Sequence, residues 1–340
     1  MANTSRFVSG CIGQMRRHLL ALAAAAALSA AMTGQAHAEW DESYFPNVEL
    51  VNQDGASLRF WDDLLRDRIV VVNFVYTECP DICGLSTARM AQVVDWLGDR
   101  VGRDIFFYSI SLDPETDTPQ RLREYAAAFD APDGWTFLTG SRENVDLVRF
   151  KLGERSKNLA QHRSDMVIGN AATGQWRRAS LMGSLVVLTE EILSLDPSWS
   201  RPPPAPAAPG TQPQLVIRET LGEGLFLGAC AACHTIGEGI RVGPDLSGVT
   251  LRRDREWLKA YLLAPDRLLA QGDAVAVALD GDFPAVRMPN LQLNDTDAED
   301  LIHYLSAQTE LLGQAQDAVE APGHDDAGHT QADGQHSQLH

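Results

Sequence analysis

The chain has 340 residues, 44% hydrophobic and 22% charged, with 46 acidic against 28 basic side chains for a formal charge of −18. That length gives room for two domains with separate cores. Such acidity excludes nucleic acid and anionic lipid as natural partners.

The first predicted element is a leader. Arg16 and Arg17 precede an apolar run from Leu19 to Met32, and Ala36-His37-Ala38 follows as a small-residue cleavage site. This reads as a secretory signal peptide over 1–38, cut before Glu39, and the run is too short for a comfortable membrane span. Met15, directly before the arginine pair, is a second candidate start. Removal of 1–38 takes Cys11 and three arginines, leaving 25 basic against 46 acidic side chains, a formal −21. Four cysteines remain in two close pairs, with none over for a long-range structural disulfide.

Residues 39–196 read as an α/β domain. Val70–Tyr76 and Ile105–Leu112 are β-branched and aromatic runs typical of buried strands, with weaker candidates at Trp135–Leu138 and Met166–Ile168. Helical patterns lie between them at Leu85–Leu97, Pro119–Phe129 and Arg142–Leu152. Alternation of this kind predicts a mainly parallel sheet covered on both faces.

Cys79-Pro80-Asp81-Ile82-Cys83 follows the first strand and opens the first helix. Thiols at a helix N-terminus are acidified by its exposed N–H groups. Spacing of i, i+4 puts both sulfurs on one helix face, which suits one soft ion held between two thiolates or, with adjustment, a disulfide. A third ligand has to come from elsewhere. His162 is the one histidine between the leader and residue 234, and it sits just before the strand candidate Asp165–Ile168. A lone histidine is by default a surface or core residue; its place at a strand's start makes it the candidate.

Residues 197–213 hold seven of the 17 prolines and read as a semi-rigid linker; extended as polyproline II it reaches about 50 Å. Residues 214–312 read as all-helical, from an amphipathic stretch Leu215–Gly228 to a last helix Asp295–Gln308 with an apolar stripe of Leu301, Ile302 and Leu305, capped by Asn294 or Thr296. Within it lies Cys230-Ala-Ala-Cys233-His234. Cys-x-x-Cys-His is the attachment signature of a c-type haem: two thioethers from Cys230 and Cys233, and an axial bond to iron from His234. A zinc site would need two more Cys or His ligands nearby, and no other cysteine is available. The only methionine after Met182 is Met288, in a loop-like segment before the last helix, which makes it the candidate sixth ligand. His303 is the alternative and reads as a surface or packing residue of that helix. A tail over 313–340, with His324, His329, His336 and His340 among aspartates, is expected to be disordered.

Two resemblances carry these readings further. Gly222-Glu-Gly-Leu-Phe226, Tyr304, Gly243-Pro244-Asp-Leu246 and Met288-Pro-Asn-Leu291 resemble, in order, the pieces of a class I cytochrome c. That resemblance implies a close helix crossing at Gly222 and Tyr304, and a Pro244 carbonyl that holds the His234 Nδ1 proton. Thr77–Cys83, Ser111-Leu-Asp113-Pro114-Glu-Thr-Asp117-Thr118-Pro119 and Gln161-His162-Arg163-Ser164 resemble the Sco/SenC family of copper-handling proteins with a thioredoxin-like fold. It implies one copper ion bound by Cys79, Cys83 and His162, with Asp113 in an acidic loop behind the metal or on a docking surface. Gly84 departs from that family's pattern, where many members have a second proline; Arg163, Met166 and Asn170 depart from it as well.

The expected architecture is thus a thioredoxin-like α/β domain followed by an all-α cytochrome c domain carrying one covalent haem c. The expected function is a periplasmic copper-binding redox protein that supports assembly of the copper centre of a cytochrome oxidase, with the oxidase's copper-bearing subunit or another periplasmic redox protein as partner and no stable membrane span after cleavage. A thiol–disulfide oxidoreductase using Cys79 and Cys83, and a plain electron carrier, are the alternatives.

Overall fold

The computed structural model describes residues 40–80, 82–203 and 220–320, the side chains of Ala160 and of 315–320 excepted. The predicted leader, Asp81, residues 204–219 and the four tail histidines lie outside the described residues.

The first half is built on a seven-stranded sheet. In chain order its elements are β1 (Glu49–Asn52), β2 (Ser57–Arg59), β3 (Ile69–Val75), α1 (Cys83–Leu97), β4 (Ile105–Ser111), α2 (Pro119–Ala128), β5 (Trp135–Thr139), α3 (Arg142–Lys151), β6 (Asp165–Asn170), β7 (Gln175–Ser180) and α4 (Leu185–Leu193). The strand order is β2-β1-β5-β4-β3-β6-β7. β3 pairs in parallel with β4, and β4 with β5; every other pairing is antiparallel. The expected mainly parallel sheet is therefore mixed, because short connections return β6 and β7 as a hairpin and bring in β1 and β2 as another.

β3 reads Ile-Val-Val-Val-Asn-Phe-Val, and all seven residues are buried. Their alternation feeds two cores. Ile69 and Val71 face the core under α1, α2 and α4. Val70, Val72 and Phe74 face a second core with Phe45, Phe60, Leu64 and Val148. A strand buried on both faces has no polar alternation, which is why β3 and β4 stand out in the sequence. Thr118 caps α2 by accepting from Arg121 N, with Pro119 in the first turn, and Ser141 caps α3 in the same way.

The second half is helical: α5 (Leu221–Leu225), α6 (Val249–Arg252), α7 (Arg255–Leu263), α8 (Pro265–Ala270), α9 (Ala274–Asp282) and α10 (Asp295–Glu320). Its core gathers Phe226, Leu258, Leu262, Ala298, Leu301, Ile302 and Leu305, so the expected stripe of α10 is the buried one. Asn294 accepts from Thr296 N and Asp297 N at the start of α10. The helix runs on to Glu320, eight residues into the segment expected to be disordered. α5 crosses α10 closely: a Cβ on Gly222 would lie 2.1 Å from the Asp300 carbonyl oxygen and 2.9 Å from Tyr304 Cβ. Among the described residues no helix is long and apolar enough to cross a membrane.

The two halves touch. Ala232 is buried within the core under α1, and Cys233, Val242, Val286 and Leu291 pack against that same core.

Candidate functional site

Cys79 lies in the turn after β3, and Cys83 is the first residue of α1. Cys79 is half-buried and Cys83 is 1% exposed. A buried carboxylate fixes the turn. Thr77 donates to Asp117 from its hydroxyl at 2.6 Å and from its backbone N–H at 3.1 Å, and Ser111 donates to the other oxygen at 2.6 Å. Burial pushes the Asp117 carboxyl above its ordinary range, and these hydrogen bonds only partly offset it. Asp113, the residue singled out by resemblance, faces Arg142 at 3.4 Å; its neighbour Asp117 is the one that ties the cysteine turn. Behind Cys83, Thr87 donates to the Cys83 carbonyl at 2.8 Å and meets the Tyr125 hydroxyl at 3.1 Å. Tyr125 is buried, and burial together with the nearby Cys83, Cys79 and Cys233 sulfurs holds its phenol well above its usual range.

His162 follows a short helical turn, Leu159–Gln161, and precedes β6. Its side chain is 5% exposed, its ring meets the Tyr76 ring edge-on at 6.3 Å, and its Nδ1 has no hydrogen-bond partner among the described residues. Glu154 Oε2 stands 3.8 Å from that nitrogen. Burial opposes charge on Glu154, yet the His162 ring and the Ser156 and Arg163 N–H groups draw it down to about 2, so it stays ionised. An anionic carboxylate behind an imidazole is the arrangement that orients a histidine toward a metal. Sequence reasoning missed Glu154, which belongs to no motif; its only sequence signal is an acidic residue in an otherwise basic run. Among the described residues, no three His, Cys, Asp or Glu side chains are gathered at metal-holding spacing. Two sulfurs and a buried imidazole fit a soft copper ion by donor chemistry, but the structure does not bring His162 onto the cysteine pair.

The second centre is assembled. A helical turn over Phe226–Cys230 leads α5 into the Cys230–His234 segment. His234 Nδ1 is 2.8 Å from the Pro244 carbonyl. A carbonyl only accepts, so Nδ1 carries the proton and the Nε2 lone pair is left for a metal. Burial lowers the His234 pKa against that hydrogen bond, which keeps the ring neutral. A Cβ on Gly243 would lie 2.6 Å from His234 Cε1, so only glycine lets this loop lie flat on the ring. Burial pushes the Cys230 thiol up to about 11 and the Cys233 thiol, with Cys230's charge added, to about 12. Cys230, Cys233, His234 and Met288 line one cavity of about 600 Å³, within the range of cofactor sites. His303 is exposed on α10 and does not line it. These residues fit a covalent haem by donor chemistry: Cys230 and Cys233 would attach it, and His234 and Met288 would supply nitrogen and thioether donors to its iron.

The same cavity is walled by Pro80 and Leu85. Pro80 lies between the two upstream cysteines, and Leu85 two residues after Cys83. The Cys230–His234 turn itself straddles both cores, with Cys230 against that of the helical half and Cys233 against that of the sheet.

Comparison with known proteins follows the same division. The SCO1/SenC family model matches residues 38–166 and the cytochrome c family model matches 220–309. A Stutzerimonas stutzeri protein named for copper binding is 31% identical over 150 residues, 42% of this chain and 72% of that one. The SCO1 protein homolog of Bacillus subtilis is 34% identical over 90 residues, 26% of this chain and 45% of the relative, so the chain spans under half of that protein. Among solved structures, Arabidopsis thaliana ScoI with copper bound aligns with a TM-score of 0.39 at 24% identity, over 44% of this chain and 96% of that one. A SCO1/SenC family lipoprotein from Bacillus anthracis aligns at 0.40 and 22%, over 46% and 95%.

Proposed function

The chain belongs to the SCO1/SenC family, with a cytochrome c domain after the family's thioredoxin-like domain, and from that premise we propose that it is an exported copper-binding redox protein. It binds one copper ion through Cys79, Cys83 and His162, supports assembly of the copper centre of a cytochrome oxidase, and exchanges single electrons between that copper and its own haem. One observation carries the reading: Pro80 and Leu85, on either side of Cys83, form part of the wall of the cavity that takes the haem. Electron counting agrees. A haem passes one electron, a Cu(I)/Cu(II) couple takes one, and a dithiol–disulfide couple takes two. Export is supported by the leader and by haem c chemistry, and the formal −21 of the mature chain suits basic redox partners on its surface.

In this site the chain's residues have distinct roles. Cys79, in the turn after β3, and Cys83, at the start of α1, supply soft donors rather than sharing one helix face as their spacing suggests; Glu154 places a carboxylate 3.8 Å from His162 Nδ1, and Asp117 fixes the turn that carries Cys79. Pro244 holds the proton on His234 Nδ1. Bound haem supplies a one-electron centre, and a His–Met ligand pair raises its potential.

The second reading is a thiol–disulfide oxidoreductase in which copper is incidental. His162→Ala discriminates them. Under the copper reading its copper affinity, measured by competition with a chelator, collapses while dithiol exchange persists. Wild-type protein that takes up no copper with its thiols reduced would overturn the first reading.

A further inference from the structure

Gly84 is buried in the first turn of α1, directly after Cys83. Its φ is not in the left-handed region, so the backbone does not require glycine there. What requires it is space: a Cβ at this position would lie 2.6 Å from Val286 Cγ1, a methyl of the cytochrome-like half. One and a half turns along the same helix, Arg89 is 6% exposed and spends its guanidinium on three backbone carbonyls. Two belong to its own domain, Leu181 at 2.5 Å and Gly183 at 2.6 Å; the third is Gly228, at 2.7 Å, two residues before the haem-attaching Cys230. Ala232, between the two haem-attaching cysteines, is 3% exposed in the core that also holds Leu85. A steric fit, a buried cation and an apolar plug thus join one patch of α1 to one patch of the other half.

We infer that the cytochrome-like half is a fitted cover on the Cys79/Cys83 face, seated by Gly84 and Val286, and that it lifts before another protein can take copper from the sulfur pair. The inference rests on the copper reading for its cargo. Haem contact and copper hand-over then use one face in turn, and the proline-rich segment 197–213 keeps the cover on the same chain while it is off. The departure of Gly84 from the proline of many Sco/SenC proteins has its reason here, since any side chain at 84 meets the cover.

The test uses full-length haem-loaded protein carrying Cu(I), with bathocuproine disulfonate as the copper-withdrawing probe and small-angle X-ray scattering for compactness. Gly84→Ala overpacks the seat, and the expected opening is about tenfold in the open-to-closed ratio, equivalent to about 1.4 kcal/mol. Copper withdrawal speeds up by the same factor and the radius of gyration grows. The double variant Gly84→Ala/Val286→Ala removes the colliding methyl and returns to within about twofold of wild type. Val286→Asp opens the cover from the other side without touching α1. Wild-type rates and compactness in both Gly84→Ala and Val286→Asp would overturn the cover. Failure of wild-type protein to hold copper would instead strike the copper reading; iodoacetamide labelling of Cys79 in the same variants then reads the cover alone, with faster labelling in Gly84→Ala upholding it and equal rates overturning it.

Discussion

Gly222 and Gly224 stand two residues apart in α5, and the structure gives their alanine variants opposite signs. At Gly222 the new Cβ would meet the Asp300 carbonyl oxygen at 2.1 Å and its carbon at 2.7 Å. These are backbone atoms of α10, so relief requires the helices to separate by roughly an ångström. That separation weakens the Phe226–Tyr304 ring contact, now 5.5 Å between centroids, and the packing of Leu301 beneath it. Overpacking of this kind costs about 1–3 kcal/mol, and alanine recovers at most about 1 kcal/mol of helix propensity. The expected net loss is about 2 kcal/mol, or roughly 8–16 °C in the Tm of a domain this size. At Gly224 no described residue lies within 4 Å of the added Cβ, so Gly224→Ala keeps the propensity gain and stabilises by about 0.5–1 kcal/mol. Thermal unfolding followed at the haem absorption band measures both. Equal stability of the two variants, or a Gly222→Ala protein as stable as wild type, would refute the close helix crossing.

Four further outcomes are expected. Glu154→Gln lowers copper affinity by about 10–100-fold, because the negative charge 3.8 Å from His162 Nδ1 is lost; chelator competition measures it, and His162→Ala falls further. Asp117→Asn exposes the cost of a buried charge: the folded pKa of Asp117 lies above the ordinary 3.8, so its contribution is full below that value and is lost as pH rises through the folded pKa. The stability of wild type relative to Asp117→Asn, from urea unfolding, therefore falls as pH rises above the ordinary carboxylate value. Met288→Ala lowers the haem reduction potential in a redox titration, since a thioether ligand raises it. Removal of copper by a chelator leaves the haem spectrum and the unfolding of the helical half in place, because separate residues hold the two centres.

Much of this arrangement is visible in the residue order. β3 and β4 are buried on both faces, so their β-branched runs carry the signal undiluted. β1 and β7 escape it: β7 reads Gln-Trp-Arg-Arg-Ala-Ser at the sheet's edge with only two half-buried positions, and such a strand is made by pairing with β6 rather than by its own pattern. The expected haem ligands are readable because the attachment signature confines Cys230, Cys233 and His234 to five residues. Glu154 is not, since its role depends on a fold that returns residue 154 to residue 162. Asp113 and Asp117 lie in one acidic stretch, and only the sheet shows that Asp117 points inward to Thr77 while Asp113 turns to Arg142. Gly84 was readable as a departure from a pattern, but its cause is a methyl 202 positions away in the chain.

The most direct test is single-turnover electron transfer within one molecule. Full-length protein with ferrous haem and Cu(II) at the Cys79/Cys83 site, mixed without external mediator, is predicted to oxidise its haem as the copper is reduced, one for one. The rate is predicted to be independent of protein concentration, because both centres are proposed on one chain and Pro80 and Leu85, beside the cysteine pair, wall the other centre's cavity. A ferrous haem that persists beside Cu(II), or a rate that rises in proportion to protein concentration, would contradict the account.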